Sequence, residues 1–277
     1  MTAKIGLALG GGGARGLAHI GILKVLQREQ IPVDVVTGTS MGGIVGAMYA
    51  VGKSTEEMES EALKRGEINQ IFKLIDLRLV GSGLLGGKHI KKLLAEMLGA
   101  ETTFADLRLP FAVVSVDYTS GREVVLKEGN LADAVRATMS VPGVFEPVRL
   151  NGYQLLDGGV LDNVPVGVAR DLGAEKVIAV DVLPNFRLNE PGQDPIVPPL
   201  KPRGMPKAYR QLWHVELVMI AALTELRLKE SAPDVIIRPD LPVDMDLLMS
   251  FDRPQEAIAC GEQAAEAALP QIRALLE

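Results

Sequence analysis

The sequence predicts an α/β fold: one domain over residues 1–277, doubly wound around a mostly parallel sheet. Strand-like runs alternate with helical patterns along the chain, as in K-I-G-L-A-L at 4–9, F-A-V-V-S-V-D-Y at 111–118 and K-V-I-A-V-D-V at 176–182. That alternation is what strand–helix–strand units produce. Several of these strands are near-continuous apolar runs, as expected of a sheet covered on both faces. The 277 residues are 47% hydrophobic, enough for a sizeable core, and no internal repeat or change of composition marks a second domain.

The elements follow in order. Residues 4–9 form the first strand. The glycine run G-G-G-G-A-R-G at 10–16 leads into a helix with Leu17, Ile20, Leu23, Val25 and Leu26 on its apolar positions. Val33, Val35 and Val36 form a second buried strand that ends at Thr37-Gly38, and a small-residue helix starts at Gly42. Ser54 and Glu57 make a capping box at the head of a helix over 54–64. Residues 67–87 mix apolar side chains with glycines, and 88–98 form an amphipathic helix ending at Gly99. Strands at 111–118 and 122–126 pair through a T-S-G turn as a hairpin. A helix at 131–139 and a proline-bearing loop at 140–148 precede a strand at 153–156 that runs into Asp157-Gly158-Gly159. D-N-V-P-V at 162–166 starts a helix with Asn163 as its cap. Residues 184–206 are a proline-rich excursion over the surface, expected to be a lid or a disordered loop. A helix at 207–230, a strand at 234–238 and a helix at 254–276, interrupted near Pro270, complete the chain.

Ser40 stands at the centre of G-T-S-M-G, with a strand before it and a helix after it. That context is a nucleophile elbow: the turn strains the serine backbone and lifts the hydroxyl out of the sheet edge. The positive end of the following helix favours negative charge there. The loop at Gly11, Gly12 and Gly13 suits two chemistries. Its amides can hold a developing oxyanion. With Gly16 it also satisfies G-x-G-x-x-G, and Asp34 lies near the spacing of a ribose-binding acid, as in a nucleotide-binding oxidoreductase. Asp34 precedes the core of its strand, whereas a ribose acid belongs at the strand's carboxyl end, which weakens the nucleotide reading. Arg15 fits either a helix-start ion pair or an anion contact. A serine nucleophile needs a base. Of His19, His89 and His214, only His214 follows the acid in α/β-hydrolase order, and it sits inside a helical pattern. His19 reads as a structural histidine. Asp157, at a strand end among glycines, is the better base, so a two-residue Ser–Asp site is expected.

Charge and composition narrow the partners. A net charge of −6 and a pI of about 5.3 argue against nucleic-acid affinity. The single cysteine, Cys260, excludes an internal disulfide, gives no metal cluster, and reads as a buried structural thiol. The N-terminus enters a strand directly with no secretory apolar run. The most apolar stretch, 217–223, is bracketed by Glu216 and Glu225, too short to span a bilayer. A cytoplasmic protein is expected. Residues 64–92 carry Lys64, Arg65, Lys73, Arg78, Lys88, Lys91 and Lys92 against Glu67 and Asp76. Such a basic, apolar stretch suits peripheral contact with an anionic membrane, or else a core-packed flap with solvated charges.

The motifs G-G-G-G-A-R-G, G-T-S-M-G and D-G-G occur in this order, with S-V-P-G-V-F-E-P and D-G-G-V-L-D-N-V-P-V between and after them. Over about 4–182 the chain resembles the patatin-like phospholipase family, most of all its small bacterial members. The resemblance implies a three-layer α/β/α fold and a lipid acyl hydrolase of lysophospholipase or phospholipase A type. It implies Ser40 as nucleophile, Asp157 as base and Gly11, Gly12 and Gly13 as the oxyanion loop. It also implies a lipid or fatty-acyl ester substrate, with no cofactor or metal. A non-catalytic lipid-binding module is a further alternative.

Overall fold

The computed structural model describes residues 3–64, 88–184, 186, 207–248 and 250–277. Most of the basic stretch at 64–92 and nearly all of the 184–206 excursion lie outside the described residues. Eight strands are described: β1 Ile5–Leu9, β2 Val35–Gly38, β3 Phe111–Asp117, β4 Glu123–Leu126, β5 Val148–Leu150, β6 Tyr153–Asp157, β7 Lys176–Val180 and β8 Val235–Ile237. The described helices are α1 Ala18–Arg28, α2 Met41–Ala50, α3 Thr55–Lys64, α4 Lys88–Leu98, α5 Leu131–Thr138, α6 Val166–Asp171, α7 Lys207–Ser231 and α8 Pro254–Arg273.

The strands form one sheet in the order β5-β6-β3-β2-β1-β7-β8, with β4 paired to β3 off that path. From β3 to β8 the pairings are parallel; β4 and β6 pair with β3, and β5 with β6, in the antiparallel sense. The two-residue period of a strand divides the core. Ile5, Leu7 and Leu9 of β1 and Ile178 and Val180 of β7 enter the main core with α1, α2, α5 and α8. Their neighbours Ala8, Val177 and Ala179 face the opposite side, against Val166 and Ala169 of α6 and Leu228 of α7. Helices on both faces of a mixed sheet make three α/β/α layers.

Three local expectations change. Residues 140–148 are not loop throughout: Val148 opens β5, which returns into β6 through Asn151-Gly152, at φ 50° and 83°. Those are the signs of φ that a tight hairpin turn demands, and Asn-Gly is the pair that tolerates them. Asn163 does not cap α6; Pro165 stands before that helix, and the Asn163 side chain turns back to the glycine loop. Pro270 does not interrupt α8. It is exposed there, so water can meet the carbonyl it leaves without a donor. Cys260 is half-buried against the main core, with burial pushing its thiol up.

Candidate active site

The site lies where β1, β2, β6 and β7 end. Leaving β2, the chain turns so sharply that Ser40 takes φ 53° and ψ −120° and becomes the residue before α2. A non-glycine residue rarely adopts this geometry, and it persists only where the surroundings over-determine it. Two contacts do so. The Ser40 N–H donates to the Thr138 hydroxyl at 3.1 Å, and that hydroxyl donates in turn to the Val114 carbonyl. Gly42 seats the first turn of α2 on the end of β1, where any side chain would run into the Leu9 carbonyl.

Asp157 ends β6 and is buried. Its N–H donates to the Ser140 carbonyl at 3.0 Å, and its Oδ1 accepts the Gly159 N–H at 2.8 Å. The Ser40 side chain faces the carboxyl. Burial pushes the Asp157 carboxyl up to about 6, against the opposing effect of its bonds from Ser40 and Gly159.

The glycine loop crosses above Ser40. A Cβ on Gly11 would lie 2.7 Å from Asn163 Oδ1 and 3.1 Å from Ser40 Cβ, so only glycine lets the loop come this near. The loop is held at several points. Gly10 N–H donates to the Val180 carbonyl at 2.9 Å and Gly11 N–H to the Asn163 carbonyl at 3.2 Å, while Asn163 Nδ2 donates to the Gly11 carbonyl at 3.2 Å. The Gly11 amide is therefore already engaged by Asn163. Among the described residues, no protein acceptor meets the amides of Gly12 and Gly13. Asn163 was expected only as a helix cap. Its part in holding the loop depends on a pairing across more than 150 positions, and its signal in the sequence is its place six residues after Asp157.

Arg15 has neither of its two expected roles. It is buried, and its Nε donates to the Val182 carbonyl at 2.8 Å and its Nη1 to the carbonyls of Pro242 and Met245 at 3.2 and 3.4 Å. These bonds tie the glycine loop to the segment after β7 and the one before α8; burial brings the guanidinium down to about 10. His19 is structural: fully buried, it donates from Nε2 to the Gly10 carbonyl at 2.7 Å, and desolvation drops it to about 4. His214 does not line the pocket over Ser40 and meets the Phe186 ring edge-on, 5.7 Å between centroids. Asp34 accepts the Ile5 N–H at 2.8 Å at the start of β1, the opposite end of the sheet from the glycine loop. A ribose bound at that loop would not meet it, which removes the acidic partner of the nucleotide reading.

Ser40, Asp157 and the three glycines open into one cleft of about 800 Å³, otherwise walled mainly by apolar side chains, Phe145, Trp213 and Leu217 among them. Glu216 of α7, which the sequence did not single out, also lines it; burial first, then the charge of Asp157, pushes its carboxyl up. Among the described residues no cluster of His, Cys, Asp and Glu could hold a metal ion, and no helix is long and apolar enough to cross a membrane. The arrangement brings a hydroxyl, a buried carboxyl and the glycine loop together in one apolar cleft.

Comparison with known proteins identifies the family. A model of the family described as patatin-like phospholipase matches residues 7–170. The patatin-like phospholipase domain-containing protein ZK370.4 of Caenorhabditis elegans is 32% identical over 271 residues, 93% of this chain and 20% of that protein. The human patatin-like phospholipase domain-containing protein 6 is 36% identical over 182 residues, 64% of this chain and 13% of its own. Lysophospholipase NTE1 of Meyerozyma guilliermondii is 34% identical over 180 residues, 64% of this chain and 12% of that protein. The chain thus spans a fifth or less of the length of these relatives. Among solved structures, VipD from Legionella pneumophila shares the fold at a TM-score of 0.53 and 14% identity, covering 99% of this chain and 67% of that one. By the family model, which matches more than half of it, this chain belongs to the patatin-like phospholipase family.

Proposed function

We propose that the chain is a serine hydrolase of lipid acyl esters, of the lysophospholipase or phospholipase A type, working through a Ser40–Asp157 dyad. The observation that carries this reading is the strained Ser40 backbone facing a buried carboxyl in an apolar cleft. Ser40 Oγ attacks the ester carbonyl carbon while its proton passes to Asp157. The amides of Gly12 and Gly13 receive the oxyanion, and Gly11, tied to Asn163, holds the loop in place. Collapse of the tetrahedral intermediate breaks the bond to the leaving alcohol, which takes the proton from Asp157 and departs. Water then attacks the acyl-serine, giving its proton to Asp157; the fatty acid leaves and Ser40 recovers its proton. The step needs no metal or cofactor.

The apolar walls suit a lipid ester, and lipid hydrolysis is what the relatives' names describe. We place the protein in the cytoplasm, meeting the inner membrane face through the basic stretch at 64–92. Lys91 of that stretch pairs with Asp133 at 2.6 Å, so part of its charge is locally spent. A serine-directed fluorophosphonate should label the wild-type chain and leave Ser40→Ala unlabelled, and Ser40→Ala should turn over no nitrophenyl ester. Full activity in a folded Ser40→Ala protein would refute the assignment.

A further inference from the structure

A second apolar cavity lies beside the cleft. It has about 790 Å³ of unfilled space between its walls, counting its opening. Among its described walls every side chain but that of Glu61 is apolar. Its construction is regular. Helix α2 contributes Met41, Ile44, Val45 and Met48, which are spaced i, i+3, i+4 and i+7 and so form one stripe along the helix. Helix α4 contributes Ile90, Leu93, Leu94 and Met97 at the same spacing, and α3 adds Met58 and Ala62. Such stripes ordinarily meet and interdigitate, because protein interiors are close-packed. Here, among the described residues, they pack into the main core and also line one shared apolar cavity.

The cavity shares a wall with the cleft. Met41, Ile44, Met139 and Phe251 line both. Ser40 immediately precedes α2, so the stripe that begins at Met41 begins beside the serine hydroxyl. At about 1.5 Å rise per residue, it runs roughly 12 Å from Ser40 to Met48, away from the glycine loop. Two of the four shared residues are methionines, whose unbranched, flexible side chains can yield to a passing chain.

We infer that this second cavity is the acyl-chain site: the fatty chain of the ester passes between Met41, Met139 and Phe251 and lies along the α2 stripe against α3 and α4. The leaving alcohol then keeps to the cleft side, under α7. The inference rests on the reading of Ser40 as the attacking group. It makes the cavity between α2, α3 and α4 the determinant of acyl length. Each further methylene buried there strengthens binding, so a long chain is favoured over a short one.

The test fills the cavity at positions that do not line the cleft: Ala62→Phe, and Leu93→Phe as a second variant should the first not fold. Two readouts are needed. The first is the ratio of kcat/KM for palmitoyl over butyryl nitrophenyl ester, expected to fall about tenfold in either variant, the loss of roughly two methylenes of burial. The second is binding of parinaric acid, a conjugated long-chain fatty acid, to Ser40→Ala. It is read by energy transfer from the one tryptophan, Trp213, in the neighbouring cleft. Binding should be saturable and weaken about tenfold when the same filling is added, by the same loss of burial. Unchanged parinaric binding in the filled proteins, or an equal loss on both esters, overturns the inference. Parinaric binding that responds to the filling, in a protein that hydrolyses neither ester, supports the cavity while refuting the hydrolase reading.

Discussion

At the scale of the residue, Asp157 carries the sharpest consequence. A carboxyl of ordinary acidity is a weak base toward a serine hydroxyl, and burial has brought this one up to about 6. In the proposed mechanism the ionised form accepts the proton, so the rate on a soluble ester should climb as pH rises through about 6 and then level. Asp157→Asn keeps the shape but cannot accept the proton, and should lose on the order of 10²–10⁴-fold in kcat. His214→Gln, measured beside it, should cost little, since that ring packs on Phe186 outside the cleft walls. A dead His214→Gln with a working Asp157→Asn would replace the dyad with a histidine triad. Ser40 and Asp157 could be singled out from sequence because each sits inside a short motif whose local geometry does the work. Gly11 and Arg15 could not be read as fully. Whether an amide is free, or where a guanidinium points, depends on partners such as Asn163, Val182 and Met245, far off in the chain.

At the scale of the element, α2 is the piece on which the site depends. It is a helix of small residues seated directly on the strand ends, and its first turn fixes Ser40. Gly42→Ala would drive a methyl into the Leu9 carbonyl, which is backbone and cannot rotate away. The expected cost is at least about 1–3 kcal/mol, read as a lower urea midpoint at unchanged m-value. An unshifted midpoint would mean that α2 can ride outward freely. Arg15 joins elements instead of building one. Arg15→Lys keeps the charge but loses the planar fork that reaches three carbonyls. It should destabilise by about 1.5–3 kcal/mol, seen in the same titration. Strands that form near-continuous apolar runs, such as β1, β3 and β7, were legible in the sequence. The β5–β6 hairpin was obscured because β5 is three residues long and two prolines, Pro142 and Pro147, precede it. Yet its Asn151-Gly152 turn is a strong hairpin signal.

At the scale of the whole molecule, the parallel part of the sheet gathers the ends of β1, β2 and β7 at one edge, and the antiparallel return of β6 delivers Asp157 to it. Chemistry-bearing groups are thus desolvated together, which lowers stability. Asp157 is pushed up to about 6 by burial, and Asp162 up to about 7 by burial and the charge of Glu123, against the opposing charge of Arg227. The sign follows from proton uptake. Between the ordinary value of 3.8 and these raised values the folded chain holds protons that the unfolded chain has released. Stability from these two groups is therefore intact below about pH 4 and is lost as pH rises through 6 to 7. For Asp157 the loss is on the order of 3 kcal/mol. Asn carries no proton to lose and still offers Oδ1 to the Gly159 N–H. Asp157→Asn should therefore melt higher than wild type at pH 8 and about level with it at pH 4, even as its predicted kcat falls. Asp162→Asn should show the same widening gap, carried to a higher pH. Thermal melts of the three proteins at pH 4, 6 and 8 make the comparison. A gap independent of pH, or one that favours wild type at pH 8, would mean that these carboxyls are ionised at little cost in the folded chain.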